Sequence, residues 1–195
     1  MPRRTGTERL EARRARLERH AAETDPAVVM TAAGRFLELR SRSVDEVRRH
    51  LLGAAFPEPL VARTLERLLE LGILDDLAFA TAWVESRDRA RPRGQTALRR
   101  ELGLKGIERE MVAAVLEARL GSADEKDGGS AGVGAEQLAA ERLIARNRAA
   151  LLRVADPRAR RGRAYAMLAR HGFDPETCRV VSAGLTGFDE GVDDD

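Results

Sequence analysis

DDLAFATAWVESRDRARPRGQTALRRELGLKGIEREMVAAVLEARL, residues 75–120, decides the fold. Phe79, Ala80, Trp83 and Val84 recur at three- and four-residue spacing, as one face of a helix requires. Asp75 and Asp76 stand at the mouth of that helix, where a carboxylate caps free amides and meets the positive end of the macrodipole. Arg91-Pro92-Arg93-Gly94 ends it. Leu98 and Leu102 mark a second helix, and after Gly106 a third carries Met111, Val112, Val115 and Leu116. Alternating β-branched runs are absent. The stretch reads as three short helices in succession.

The same punctuation extends outward on both sides. Asp25 before Pro26 pairs an N-cap with an N1 proline and opens a helix expected to run to about Ser41. Ser43-Val44-Asp45-Glu46 is a capping box, followed by a short helix to about Gly53. Pro57 and Pro59 set a third helix, with Leu60, Val61, Leu65, Leu68 and Leu69 on its apolar face and Gly72 at its end. Beyond residue 120, residues 121–134 are Gly, Ser and charge, a flexible polar linker. A third round then follows: Leu138 to about Leu152, a helix after Asp156-Pro157 up to His171-Gly172, and one after Asp174-Pro175. Nine helices in three sets of three are expected, with repeats at 26–74, 75–120 and 135–185. Residues 1–25 form an Arg-rich arm and 186–195 an acidic tail. Leu51 with Phe56, Leu102 with Ile107 and Leu168 with Phe173 repeat a leucine five residues before an apolar turn residue. The expected fold is all-α, an elongated tandem array of three three-helix repeats in a monomer.

Composition narrows the function. The chain has 195 residues, 34 Lys+Arg against 32 Asp+Glu, one Cys and 4% aromatic residues. It is too apolar for wholesale disorder and too charged for a membrane span. Cys178 alone forbids an internal disulfide, and no apolar segment precedes residue 26, so a cytoplasmic protein without a signal peptide is expected. Charge is uneven beneath a net +2. Between Arg87 and Arg109, eight basic residues face three acids, and between Arg142 and Arg170 nine arginines face Asp156 alone. Basic windows of this kind suit a polyanionic or acidic-protein partner.

Catalytic machinery is missing from the sequence. There is no phosphate loop, and His20, His50 and His171 have no metal-ligand spacing with one another or with Cys178. Asp75 and Asp76 read as caps, and Phe79 with Trp83 as core rather than a stacking platform. Neither enzyme activity nor a cofactor or metal is expected. An apolar residue followed by Arg-x-Arg recurs at Arg40 and Arg42, at Arg87 and Arg89, and at Arg146 and Arg148. The first two pairs are expected in a helix's last turn, where the macrodipole alone would favour them. Arg146 and Arg148 fall mid-helix, and the run Arg158, Arg160, Arg161, Arg163 continues the basic surface.

Asp75-Asp76-x-x-Phe79-Ala80-x-x-Trp83-Val84-Glu85-Ser86-Arg87, continuing through Arg93-Gly94, Leu98, Glu101-Leu102 and Lys105-Gly106-Ile107, resembles the signature of the RecX regulatory proteins. Leu39-Arg40-Ser41-Arg42-Ser43, Glu46 and Leu51 agree with it. The resemblance is sharpest over 35–116 and extends to about 185. It implies tandem three-helix repeats and a non-enzymatic regulator of DNA repair, recombination and the SOS response. Such a protein would bind the RecA filament along its groove and restrain its ATPase, strand-exchange and coprotease activities. Contact with single-stranded or double-stranded DNA is a further implied partner. Arg40, Arg42, Arg87, Arg89, Arg93 and Lys105, with Arg146 and Arg148, are the candidate partner- or DNA-binding residues. The alternatives are an independent DNA-binding helix-turn-helix regulator, which would bind duplex without RecA, and an all-α protein scaffold.

Overall fold

A computed structural model describes residues 6–126 and 134–185. Among these residues the chain is all helix, with ten helices: α1 (Gly6–Ala21), α2 (Pro26–Leu37), α3 (Val44–Gly53), α4 (Glu58–Glu70), α5 (Asp76–Ala90), α6 (Gln95–Leu104), α7 (Arg109–Lys126), α8 (Ala135–Leu152), α9 (Pro157–Arg170) and α10 (Pro175–Ala183). The sets α2–α4, α5–α7 and α8–α10 are the three rounds read from the sequence. The tenth helix is α1, which the count of nine left out. It has no buried residue and few apolar ones, so periodicity could not mark it.

Local chemistry sets most boundaries. The Asp25 side chain accepts from the Ala27 amide at 2.9 Å, and Pro26 follows at N1. Ser43 Oγ accepts from the Glu46 amide at 3.2 Å while Glu46 Oε2 accepts from the Ser43 amide, completing the capping box. Asp75 caps α5 through the Ala78 amide, and Asp156 and Asp174 cap α9 and α10. Two expected ends move. α2 stops at Leu37 rather than near Ser41, because the chain must reverse and enter the extended N-cap conformation of Ser43. α7 runs to Lys126, into the stretch read as linker; residues 127–133 of that linker, and the acidic tail, lie outside the described residues.

The repeated turn is visible in the packing. Leu51, Leu102 and Leu168 are wholly buried, as are, nearly, Phe56, Ile107 and Phe173. The residue before each turn residue is left-handed: Ala55 at φ +67°, Gly106 at +78° and Gly172 at +82°. That conformation reverses the chain after the helix and is nearly free only for glycine.

The chain divides into two compact units. One takes the described residues up to Phe79 together with Lys105–Ile107, and the other Ala80–Leu104 and the residues from Glu108 on. The core of the first is Val29, Ala33, Val47, Leu51, Phe56, Val61, Leu65, Leu68 and Leu74. Leu69, expected on that apolar face, is exposed. The second unit's main cluster is built by α8–α10 from residues such as Ile144, Leu151, Leu168, Phe173, Cys178 and Val181. His20 ties α1 to the first unit, its Nδ1 2.9 Å from the Ala54 carbonyl oxygen and its ring stacked on Phe56 at 4.1 Å.

Candidate partner-binding site

In the first unit, Glu46 gathers two of the candidate cations. Arg40 reaches its two carboxylate oxygens at 2.8 and 3.3 Å, and Lys105 Nζ donates to it at 2.7 Å. Burial alone would raise the Glu46 carboxyl; Arg40, Lys105 and the Ser43 amide outweigh it and hold the pKa at about 2. Ser43 Oγ also donates to the Lys105 carbonyl at 2.6 Å, which fixes the lysine's backbone against the start of α3. Beside it the Val44 amide donates to Asp76 Oδ1 at 2.9 Å. Arg42 points elsewhere, its guanidinium 4.1 Å above the Phe36 ring, and its Nε is buried without a hydrogen-bond partner among the described residues.

In the second unit, Glu101 plays the corresponding part. Arg87 Nε donates to Glu101 at 2.6 Å, Trp83 Nε1 at 2.9 Å, and Arg93 lies at 3.5 Å. The Arg87 guanidinium covers the Trp83 ring at 4.3 Å. Each cluster therefore holds two cations on one carboxylate and keeps one net positive charge, with guanidiniums already positioned for a partner's carboxylate or phosphate. Trp83 is half-buried rather than core, since its indole N–H needs Glu101 at the surface.

Arg146 donates to the Arg89 carbonyl at 2.6 Å and to that of Ala90, so it caps the C-terminal end of α5. Arg89 and Arg148 themselves are exposed. The dipole argument holds for Arg87 and Arg89, in the last turn of α5, but not for Arg40 and Arg42, which lie beyond the end of α2. Arg160 leaves the expected basic run: it is buried, with Nε donating to the Val154 carbonyl at 3.1 Å and a terminal nitrogen to that of Ala155 at 3.3 Å. Those carbonyls lie in the turn before α9. Arg158, Arg161 and Arg163 stay exposed.

Sequence reading passed over the acids that organise these cations. Glu46 is legible as a helix cap and a position of the resemblance, and Glu101 as a position of the resemblance, neither as a partner of these cations. It also missed Arg119, buried against Asp88 at 2.8 and 2.9 Å with Glu136 at 3.7 Å. Burial pushes the Glu136 carboxyl above its usual range, against the Gln95 amide and the Arg119 charge. No sequence signal marks such partners, because they lie 31 residues apart for Arg119 and Asp88 and 41 for Gln95 and Glu136.

Comparison with known proteins identifies the family and the fold. The family model described as "RecX, second three-helix domain" matches residues 75–116, the stretch holding Trp83, Arg87, Arg93, Glu101 and Lys105. A regulatory protein RecX of Mycobacterium sp. strain JLS is 38% identical over 109 residues, 56% of each chain. Regulatory protein RecX of Mycobacterium bovis is 34% identical over 155 residues, covering 77% of this chain and 82% of the relative. The crystal structure of RecX from Lactobacillus salivarius shares the fold with a TM-score of 0.68 at 16% identity, over 83% of this chain and 96% of that one. A relative this similar across most of its own length, on the same three-helix architecture, makes this chain a member of the RecX family of regulatory proteins.

Proposed function

We propose that the chain is a non-enzymatic regulator that binds a RecA recombinase filament and mainly inhibits its ATPase, strand-exchange and coprotease activities in DNA repair and recombination. Membership of the RecX family carries the reading. The two cation clusters support it, because guanidiniums held by Glu46 and Glu101 lose little freedom on meeting an acidic or phosphate surface. In this reading Arg40, Arg42, Arg87, Arg89, Arg93, Lys105, Arg146 and Arg148 contact the filament, and the chain also meets DNA.

The test is co-sedimentation with RecA filaments on single-stranded DNA, together with inhibition of RecA ATP hydrolysis at several salt concentrations. Reversing Arg87 or Arg93 would set a new carboxylate against Glu101 and confound folding with binding. The double variant Arg89→Glu with Arg148→Glu changes exposed side chains, each expected to alter stability by no more than ~0.5 kcal/mol. Inhibition should fall several-fold and its salt dependence should flatten. Full inhibition by the folded variant would remove these two residues from the interface. Failure of the wild-type chain to associate with RecA would overturn the reading, and tight duplex binding without RecA would favour an independent DNA regulator.

A further inference from the structure

A groove of about 650 Å³ lies beside α1 in the first unit, lined by Arg16 and Arg35 and by the rings of His20, Phe36, His50 and Phe56, with no aspartate or glutamate among its lining residues. Its rings form two stacks. His20 lies on Phe56 at 4.1 Å, and His50 lies on Phe36 at 3.8 Å and within 2° of parallel. Arg42 covers Phe36 at 4.1 Å. Two groups that are each about 4 Å from one ring centre must sit on opposite faces of it. His50 is therefore the outer layer of a three-layer stack, and it is exposed.

α1 leads a row of cations into this groove. Arg9, Arg13, Arg16 and His20 follow at intervals of four, three and four, a single stripe on a helix. Arg9 to Arg16 spans ~10 Å along the axis. All three arginines are exposed, and among the described residues they form no ion pair, whereas Arg14, on another stripe, pairs with Glu18 at 2.9 Å. A row of free cations running to an exposed flat ring is the combination that single strands use, with phosphates on the cations and bases on the rings.

We infer that this groove takes a short stretch of single-stranded DNA, its phosphates on Arg9, Arg13, Arg16 and Arg35 and an unstacked base laid on His50. The inference rests on the reading in which the chain also meets nucleic acid, and it assigns that contact to residues outside the eight basic positions named above. A duplex does not fit, because its bases already stack on each other. An acidic peptide would leave the ring faces unused. The apolar wall of Val28, Ala32 and Leu39 suits deoxyribose, which offers it a methylene where ribose would set a 2′-hydroxyl against carbon. Partial burial of the ring, with Arg42 nearby, lowers the His50 pKa and so favours the uncharged ring that stacks.

Fluorescence anisotropy of the full chain, without RecA, tests this with a labelled oligothymidylate of about 15 nucleotides, the matching oligouridylate and a duplex of equal length. The oligothymidylate should bind tightest. Arg13→Glu with Arg16→Glu should weaken it about 10-fold or more and reduce the salt slope by about 1–2. His50→Ala should weaken it about 5-fold with the slope unchanged, and His50→Phe, which keeps a ring, should restore it. Circular dichroism confirms that each variant keeps its helix content. Equal or tighter binding of duplex or oligouridylate would overturn the assignment. So would wild-type affinity in the arginine double variant, or equal loss in His50→Ala and His50→Phe. RecA is absent throughout, so failure here leaves the co-sedimentation result standing, and failure there leaves this one.

Discussion

Ala55 holds, at φ +67°, a position that glycine takes in the other two sets. A left-handed residue with a Cβ costs ~1–2 kcal/mol, partly offset because glycine would add freedom to the unfolded chain. Ala55→Gly should therefore stabilise the protein by up to ~1 kcal/mol, seen as a higher urea midpoint. The reverse changes should hurt. A Cβ at Gly106 would lie 2.3 Å from Asp45 Cβ, and one at Gly172 would lie 2.5 Å from the Ala97 amide nitrogen. Gly106→Ala and Gly172→Ala should each lower the unfolding free energy, read from the same urea titration, by more than the ~1–2 kcal/mol of backbone strain alone. Glu46 makes a pH prediction at the same scale. Its carboxyl is depressed to about 2 in the folded chain from an ordinary 4.5, so its contribution is fully present above about 4.5 and is lost as pH falls toward 2. Glu46→Gln should cost about 1–3 kcal/mol at pH 7 and flatten the acid limb of a stability-against-pH curve. An unchanged acid limb would mean that Arg40 and Lys105 do not hold the carboxylate in solution.

α5 shows how an element's ends and faces are divided between local and distant causes. Asp75 caps its start through the Ala78 amide, a contact three residues long that any reading of the sequence anticipates. Its last turn is closed from far away, by Arg146 on α8 donating to the Arg89 and Ala90 carbonyls. Trp83 sits between these regimes. Helical spacing places it with Phe79 and Val84, yet only those two are buried; Trp83 turns its N–H to Glu101 and its face to Arg87. A fully buried tryptophan would cost ~3–5 kcal/mol on truncation to alanine. Half-burial predicts about 2 kcal/mol for Trp83→Ala, and Trp83→Phe, which keeps much of the ring area, should lose about 1 kcal/mol with the Glu101 hydrogen bond. Urea unfolding of both variants decides it: a loss of 4 kcal/mol or more in Trp83→Ala, taking the upper half of the range for a buried residue, would mean that the indole is packed as core.

At the scale of the whole molecule, one docking pattern occurs twice. The first amide of α3 donates to Asp76 at the start of α5, and the first amide of α6 donates to Glu136 at the start of α8. The residue before each of those helices meets the turn of the following set: Ser43 Oγ donates to the Lys105 carbonyl, and the Gly94 amide to the His171 carbonyl at 3.1 Å. Each set thus lends the free N-terminal donors of its second helix to the set that follows, and those donors would otherwise need water. Gly94 is where this leaves least room, since a Cβ there would lie 2.2 Å from the Gly172 carbonyl oxygen, backbone against backbone. Gly94→Ala should cost at least ~1–3 kcal/mol and raise amide hydrogen exchange through α9 and α10. Wild-type protection there would show that the backbone contact does not hold the third set.

The helices, their caps and the three-fold repetition were legible in the sequence because each is written within a few residues: Asp25 with Pro26, Ser43 with Glu46, Leu51 with Phe56, and their counterparts. The same locality carried the family resemblance at residues 75–107. α1 stayed hidden because its helix shows charge rather than an apolar stripe, and its anchor, His20, finds Phe56 only across the folded unit. Tertiary structure alone decided what the basic residues do. Arg40 and Lys105 meet on Glu46, Arg87 and Arg93 on Glu101, Arg146 at the end of α5 and Arg160 in the interior. The physical reason is that a helix reports itself through hydrogen bonds four residues long, whereas an ion pair reports only the distance between two points that folding has brought together.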